Sequence, residues 1–211
     1  MPERADGIGE LFDERNLWQL YRQGKAIYHN PFNRIALIVA GILLAGFGIV
    51  HFFHLGSTRS NRLDFPALFS TWATNGIAYG ATILGFLLAG FVVLFAVLRP
   101  HTVIALQQIT RPGERLHELK LIMVTFVDVF VHYTTFLGWC IVYMIAGGEN
   151  GPFDLLGSYL SVISASVPTA VTHLVFIAWG LWFLILVLKL KGFIYNLYQT
   201  LLLGMADSLS E

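Results

Sequence analysis

Four apolar stretches constrain this chain more than any other feature. They lie at about residues 35–54, 76–98, 121–146 and 168–188, and each is long enough to cross a hydrocarbon layer of about 30 Å as a helix. The first two carry no charged side chain. The third contains Asp128 and His132, and the fourth contains His173 and closes at Lys189 and Lys191. Only 12% of the residues are charged and 56% are hydrophobic, whereas a soluble domain carries about 25% charged residues. Mean hydropathy is +0.67. These values exclude a single water-soluble domain and predict an all-α, polytopic membrane protein with four transmembrane helices and short amphipathic cytoplasmic helices.

Basic residues set the expected orientation. Arg4, Arg15, Arg22, Lys25 and Arg34 precede the first span, Arg99, Arg111, Arg115 and Lys120 lie between the second and third, and Lys189 and Lys191 follow the fourth. Only Arg59 and Arg62 fall in the other loops, so the positive-inside rule places both termini and the 99–120 loop in the cytoplasm. Outer loops are expected at 55–75 and 147–167. The N-terminus has no apolar signal-peptide core, and its five early acids (Glu3, Asp6, Glu10, Asp13, Glu14) do not suit a mitochondrial transit peptide. The expected location is a bacterial inner membrane.

Two cytoplasmic segments flank a transmembrane domain at 34–190. Residues 1–33 set Leu11, Trp18, Tyr21 and Ile27 among charged residues, which suits a helix at the membrane surface or against a partner, broken at Asn30-Pro31. Residues 191–211 keep Phe193, Leu197, Leu201 and Met205 at helical spacing, predicting a further amphipathic helix. With the 99–120 loop these segments offer a docking surface for a cytoplasmic protein, and none is large enough for an enzymatic domain. A net charge of zero without a Lys/Arg block gives no sign of a nucleic-acid partner. The single cysteine, Cys140, excludes an intrachain disulfide.

Small residues mark expected helix packing. Gly76 and Gly80 are four apart in the second span, as are Gly85 and Ala89, and Gly41 and Ala45 repeat the spacing in the first. Such stripes let helix backbones approach, either between the first two spans or between subunits of a homo-oligomer.

Asp128 is the most informative single residue. An acid within a span costs at least about 2.5 kcal/mol on insertion scales, so it faces a partner or water rather than lipid. Three-four spacing collects Thr125, Asp128, His132, Thr135 and Trp139 into one stripe, and Ser166, Thr169 and His173 into another on the fourth span. Counting rise per residue puts His132 about 16 Å and His173 about 22 Å from the cytoplasmic edge of a 30 Å slab, and a polar cavity in the outer half follows. Three uses of it remain open. It is a structural network with Asp128 paired to His132 or a neighbouring helix, an ion or proton path, or a haem b site ligated by His132 and His173. No other metal site is expected.

Before the fourth span, Phe153-Asp154 leads into Tyr159-Leu160-Ser161-Val162. Here residues 153–190 loosely resemble the pore helix and last span of tetrameric cation channels. The resemblance implies a segment that dips into the membrane and returns. Ser164 to Pro168 stand at the filter position without a Thr-Val-Gly-Tyr-Gly stretch, so potassium selectivity is not implied. An outer helix packed on the spans is the alternative.

Hydrolase, Walker and dinucleotide motifs are absent, and no enzyme activity is expected. The combined expectation is an oligomeric, channel-like or sensing inner-membrane subunit that couples a membrane event to a cytoplasmic partner. Small four-span subunits of this kind occur in bacterial stress and phage-defence systems. The alternative is a haem-binding membrane anchor of a redox complex.

Overall fold

The computed structural model describes residues 31–54, 65–97, 103, 118–148, 151–163 and 166–209. The expected N-terminal amphipathic segment, most of the 99–120 loop and most of the first outer loop lie outside the described residues. Every element is a helix: α1 (Pro31–His54), α2 (Phe65–Val97), α3 (Glu118–Ala146), α4 (Pro152–Ile163) and α5 (Ser166–Leu209). Four of them, α1, α2, α3 and α5, are long and apolar enough to cross a membrane.

Two helix boundaries differ from the sequence expectation. Helix α2 begins at Phe65 rather than near residue 76. Its second residue is Pro66, and proline is favoured in a first turn, where its missing N–H has no helical acceptor to lose. Helix α5 runs unbroken for 44 residues to Leu209, so residues 191–209 continue the fourth span instead of forming a separate C-terminal helix. At 1.5 Å per residue α5 is about 66 Å long, roughly twice the hydrocarbon thickness. The apolar window itself extends over Ala170–Leu202.

The helices divide between two compact units. One contains α2 from Ile83, α3 as far as His132, and α5 from Leu188. Much of its interior is apolar and aromatic. Phe91 stacks on Phe126 at 4.1 Å between ring centroids, Phe126 meets Phe193 at 5.9 Å, and Leu94, Leu119 and Ile122 form a buried cluster.

The second unit contains α1, α2 to Thr82, α3 from Tyr133, α4, and α5 to Val187. An aromatic cluster fills it. Phe69 stacks on Trp179 at 5.5 Å and Trp72 on Phe176 at 5.0 Å, while Tyr143 meets Trp179 edge-on at 5.4 Å. Tyr133 Oη donates a hydrogen bond of 3.3 Å to the Leu186 carbonyl, tying α3 to α5. Within this unit α1 leans on α5: Gly48 faces Ile177 and His173, Gly41 faces Leu181, and Leu44 meets Gly180. The rest of α1 exposes Ile35, Ile38, Ile42, Leu43, Ile49 and Val50. Such a surface suits lipid or another membrane-embedded chain, because so large an apolar area is unfavourable to leave in water.

Candidate functional site: a charge pair between two membrane helices

Asp128 does have a partner, and its closest is Lys189. Lys189 Nζ on α5 donates to Asp128 Oδ2 on α3, and the two side chains are 1% and 3% exposed. Sequence reading places Lys189 among the loop cations that close the fourth span, and the structure corrects this. The apolar window of α5 passes Lys189 by thirteen residues, to Leu202. Counts along the two helices place both residues at a similar distance from the opposite ends of their windows. Asp128 lies 18 residues, or about 27 Å, from the Ala146 end of its window, and Lys189 lies 19 residues, or about 28 Å, from the Ala170 end. Ten of the eleven cations counted toward the cytoplasmic side remain outside the pair, so the charge asymmetry survives without Lys189.

His132, expected as the principal partner, stands at the edge of the pair. Its Nδ1 is 2.8 Å from the Asp128 backbone carbonyl oxygen and 3.4 Å from Asp128 Oδ1. A carbonyl only accepts, so Nδ1 carries the hydrogen and Nε2 is the ring atom at which a further proton would bind. Each carboxylate oxygen of Asp128 thus faces a nitrogen donor: Oδ2 an ammonium in contact, and Oδ1 an imidazole N–H at longer range.

A short polar ladder adjoins the pair. Thr125 Oγ1 donates to the Leu121 carbonyl at 2.8 Å and accepts from Asn196 Nδ2 at 3.5 Å. Thr200 Oγ1 donates to the Asn196 carbonyl at 2.8 Å. Thr125, Asp128, Lys189 and Thr200 are all buried, and Asn196 is half-buried. Lys189, Asn196 and Thr200 were not anticipated as site residues. Their spacing of seven and four residues, which puts them on one face of α5, was the available signal.

The expected polar stripe of α3 separates along its length. The buried face of α3 centres on Ile122, Val129, Phe136 and Cys140, and the stripe runs along the edge of that face. Thr125 and Asp128 are therefore covered and His132 is partly covered, but Thr135 and Trp139 are exposed. His173 is buried in the other unit, where its ring lies beside Gly48. The side chain of Thr169 lies outside the described residues. Among the described residues no three His, Cys, Asp or Glu side chains converge as metal ligands.

The glycines also meet neighbours other than those expected. A methyl at Gly76 would lie 2.7 Å from Cys140 Sγ and 3.2 Å from Phe136 Cε1, and one at Gly80 would lie 3.0 Å from Leu137 Cδ1. These glycines seat α2 against α3, not against the first span. Gly41 faces Leu181 of α5, Ala45 is half-buried, and Gly85 and Ala89 are exposed, with nothing within 4 Å of a methyl at Gly85.

The 153–163 stretch forms α4, whose Leu155, Tyr159 and Val162 share an exposed face. Residues 164 and 165 of the filter-like stretch lie outside the described residues. Comparison with family models, with curated proteins and with solved structures finds no match.

Proposed function

We propose that this chain is the membrane subunit of a channel-like or sensing assembly in a bacterial inner membrane, with the Asp128–Lys189 pair as its responsive element. The observation that carries the reading is an acid and a base buried together within the apolar windows of two long helices. Folding alone does not favour such a pair, since apolar residues of similar volume are often equally stable or better. Ionisable groups inside membrane segments instead mark ion paths, proton relays and sensors by default.

The rest of the chain fits this role. Helix α5 is continuous from Lys189 to Leu209, so a shift of Lys189 is carried along one rigid element to a cytoplasmic protein at its C-terminal end. The exposed apolar flank of α1 accommodates lipid and further copies of the chain. Placement in a stress or phage-defence system belongs to the same proposal and rests on this architecture.

The test is ion and proton flux in liposomes holding the wild type, Asp128→Asn, or the Asp128→Leu/Lys189→Met double variant. Folded, correctly assembled variants with altered flux support the proposal. No flux from the wild type under a pH gradient or applied voltage overturns the channel-like reading. Unchanged flux in both folded variants removes the pair as responsive element and leaves a membrane scaffold.

A further inference from the structure

We infer that the Asp128–Lys189 pair exchanges protons, not metal cations, and with one side of the membrane only: the side on which α3 begins and α5 ends. This rests on the pair being the responsive element and names the species it responds to and the route that species takes.

The choice of species follows from occupancy. The position a metal cation would take on Asp128 is held by the Lys189 ammonium, while Oδ1 faces the His132 N–H. With one carboxylate oxygen held by the ammonium, the other beside the imidazole, and both side chains of the pair almost fully buried, the described residues leave no set of free oxygen ligands for a hydrated cation. A proton needs no vacancy, because it moves by exchange of hydrogen bonds between groups already in place. Among the described residues, Asp128, His132 and Lys189 are the titratable groups shown to meet there, from α3 and α5. The α2 residues seen to pack on α3 in this unit, Phe91 against Phe126 and Leu94 against Leu119 and Ile122, are apolar.

Sidedness follows from the residues on either side of the pair. Toward the start of α3 and the end of α5, Asn196 Nδ2 reaches the Thr125 hydroxyl, the Thr200 hydroxyl lies one turn further along α5, and Asn196 is half-buried rather than fully enclosed. In the opposite direction along α5, the face that carries Lys189 continues as Leu186, Trp182 and Ala178, none of which exchanges a proton at neutral pH. On α3 the buried residues beyond His132 are Tyr133, whose hydroxyl is engaged by the Leu186 carbonyl, then Phe136 and Cys140. Polar groups therefore lead away from the pair in one direction, whereas in the other the face of α5 that carries Lys189 continues with apolar side chains. A pair open to one side reports the proton concentration of that compartment without conducting across the membrane in this state.

Two measurements on the full chain test this, both in a Cys140→Ala background. In the first, Asn196→Cys and Leu186→Cys are exposed to a charged, water-soluble thiol reagent in sealed vesicles of each orientation. Asn196→Cys is expected to react roughly tenfold faster from the side on which α5 ends, and Leu186→Cys from neither side. Equal rates from both sides, no reaction at position 196, or reaction of Leu186→Cys from the opposite side overturns the inference.

In the second, proton–deuteron exchange at the Lys189 ammonium is followed by NMR in nanodiscs. Asn196→Leu, verified as folded, is expected to slow it roughly tenfold, and addition of sodium, potassium or calcium is expected to leave the Lys189 and His132 signals in place. Unchanged exchange, or signals that move with a metal cation, overturns it. Two-sided labelling with an intact flux effect of Asp128→Asn removes only the access route. One-sided labelling without any flux effect supports the route while removing the channel-like reading.

Discussion

Replacing Lys189 by methionine keeps the length of the side chain and removes its charge, leaving the Asp128 carboxylate buried with, among the described residues, the more distant His132 N–H. An ion pair at about 4 Å in an effective dielectric of about 20 is worth about 4 kcal/mol, and this pair is in direct contact. Breaking a buried pair from one side costs about 3–5 kcal/mol, so Lys189→Met is expected to lose stability in that range. Asp128→Leu should cost less, since a lysine has four methylenes with which to swing its amine toward water and an aspartate has one. The double variant should return to within about 1 kcal/mol of the wild type, because neither charge is then stranded. The implied coupling is at least about 2 kcal/mol. His132→Ala, which removes the longer contact at a half-buried position, should cost about 1 kcal/mol or less. Equilibrium unfolding in mixed mild-detergent and dodecyl sulfate micelles, followed by far-ultraviolet circular dichroism, gives all four values. Single variants that each lose less than about 1 kcal/mol and add in the double would refute the pairing argument.

Gly76→Ala, whose methyl would overlap Cys140 Sγ, should lose about 1–3 kcal/mol in the same assay. Gly85→Ala, with open space around it, should stay within about 0.5 kcal/mol, and equal losses at both sites would contradict the packing of α2 on α3. Trp179→Ala removes the ring shared by Phe69, Trp72 and Tyr143 and should cost about 3–5 kcal/mol, lowering the thermal midpoint measurably. Thiol labelling of single cysteines at Arg111 and Ser208 is expected only from the cytoplasmic side, and at Ser57 only from outside. Labelling of Arg111→Cys from the periplasm in intact cells would invert the assigned orientation.

The four spanning helices were legible because twenty consecutive apolar residues have few alternatives to crossing a bilayer. Asp128 was legible for the complementary reason: a lone acid in such a run requires a partner. The identity of that partner was not, because a lysine at the end of an apolar run normally marks the membrane edge. Lys189 sits 21 residues after Pro168, where a single bilayer crossing would end. The counter-signal was the apolar stretch after Lys191, with Phe193, Ile194, Leu197 and Leu201, read as a separate amphipathic helix. Taken with an acid in need of a base, that continuation would have placed Lys189 inside. The glycine stripes show a second limit. Spacing reveals that a face is small enough for close approach, but not which helix approaches, so Gly76 and Gly80 met α3 where α1 had been considered. Thr135 and Trp139 show a third: residues on one stripe share a direction, yet burial depends on what passes alongside at each height.

The central claim is that Asp128 and Lys189 form a pair within the membrane-embedded part of the chain. Solid-state NMR measures this directly in lipid bilayers, as dipolar dephasing between the carbon-13-labelled Asp128 carboxyl and the nitrogen-15-labelled Lys189 ammonium. Strong dephasing corresponding to a nitrogen–oxygen separation within about 4 Å is predicted. An absence of dephasing in folded protein, with Lys189 exchanging its protons as fast as a lysine in water, would contradict the account.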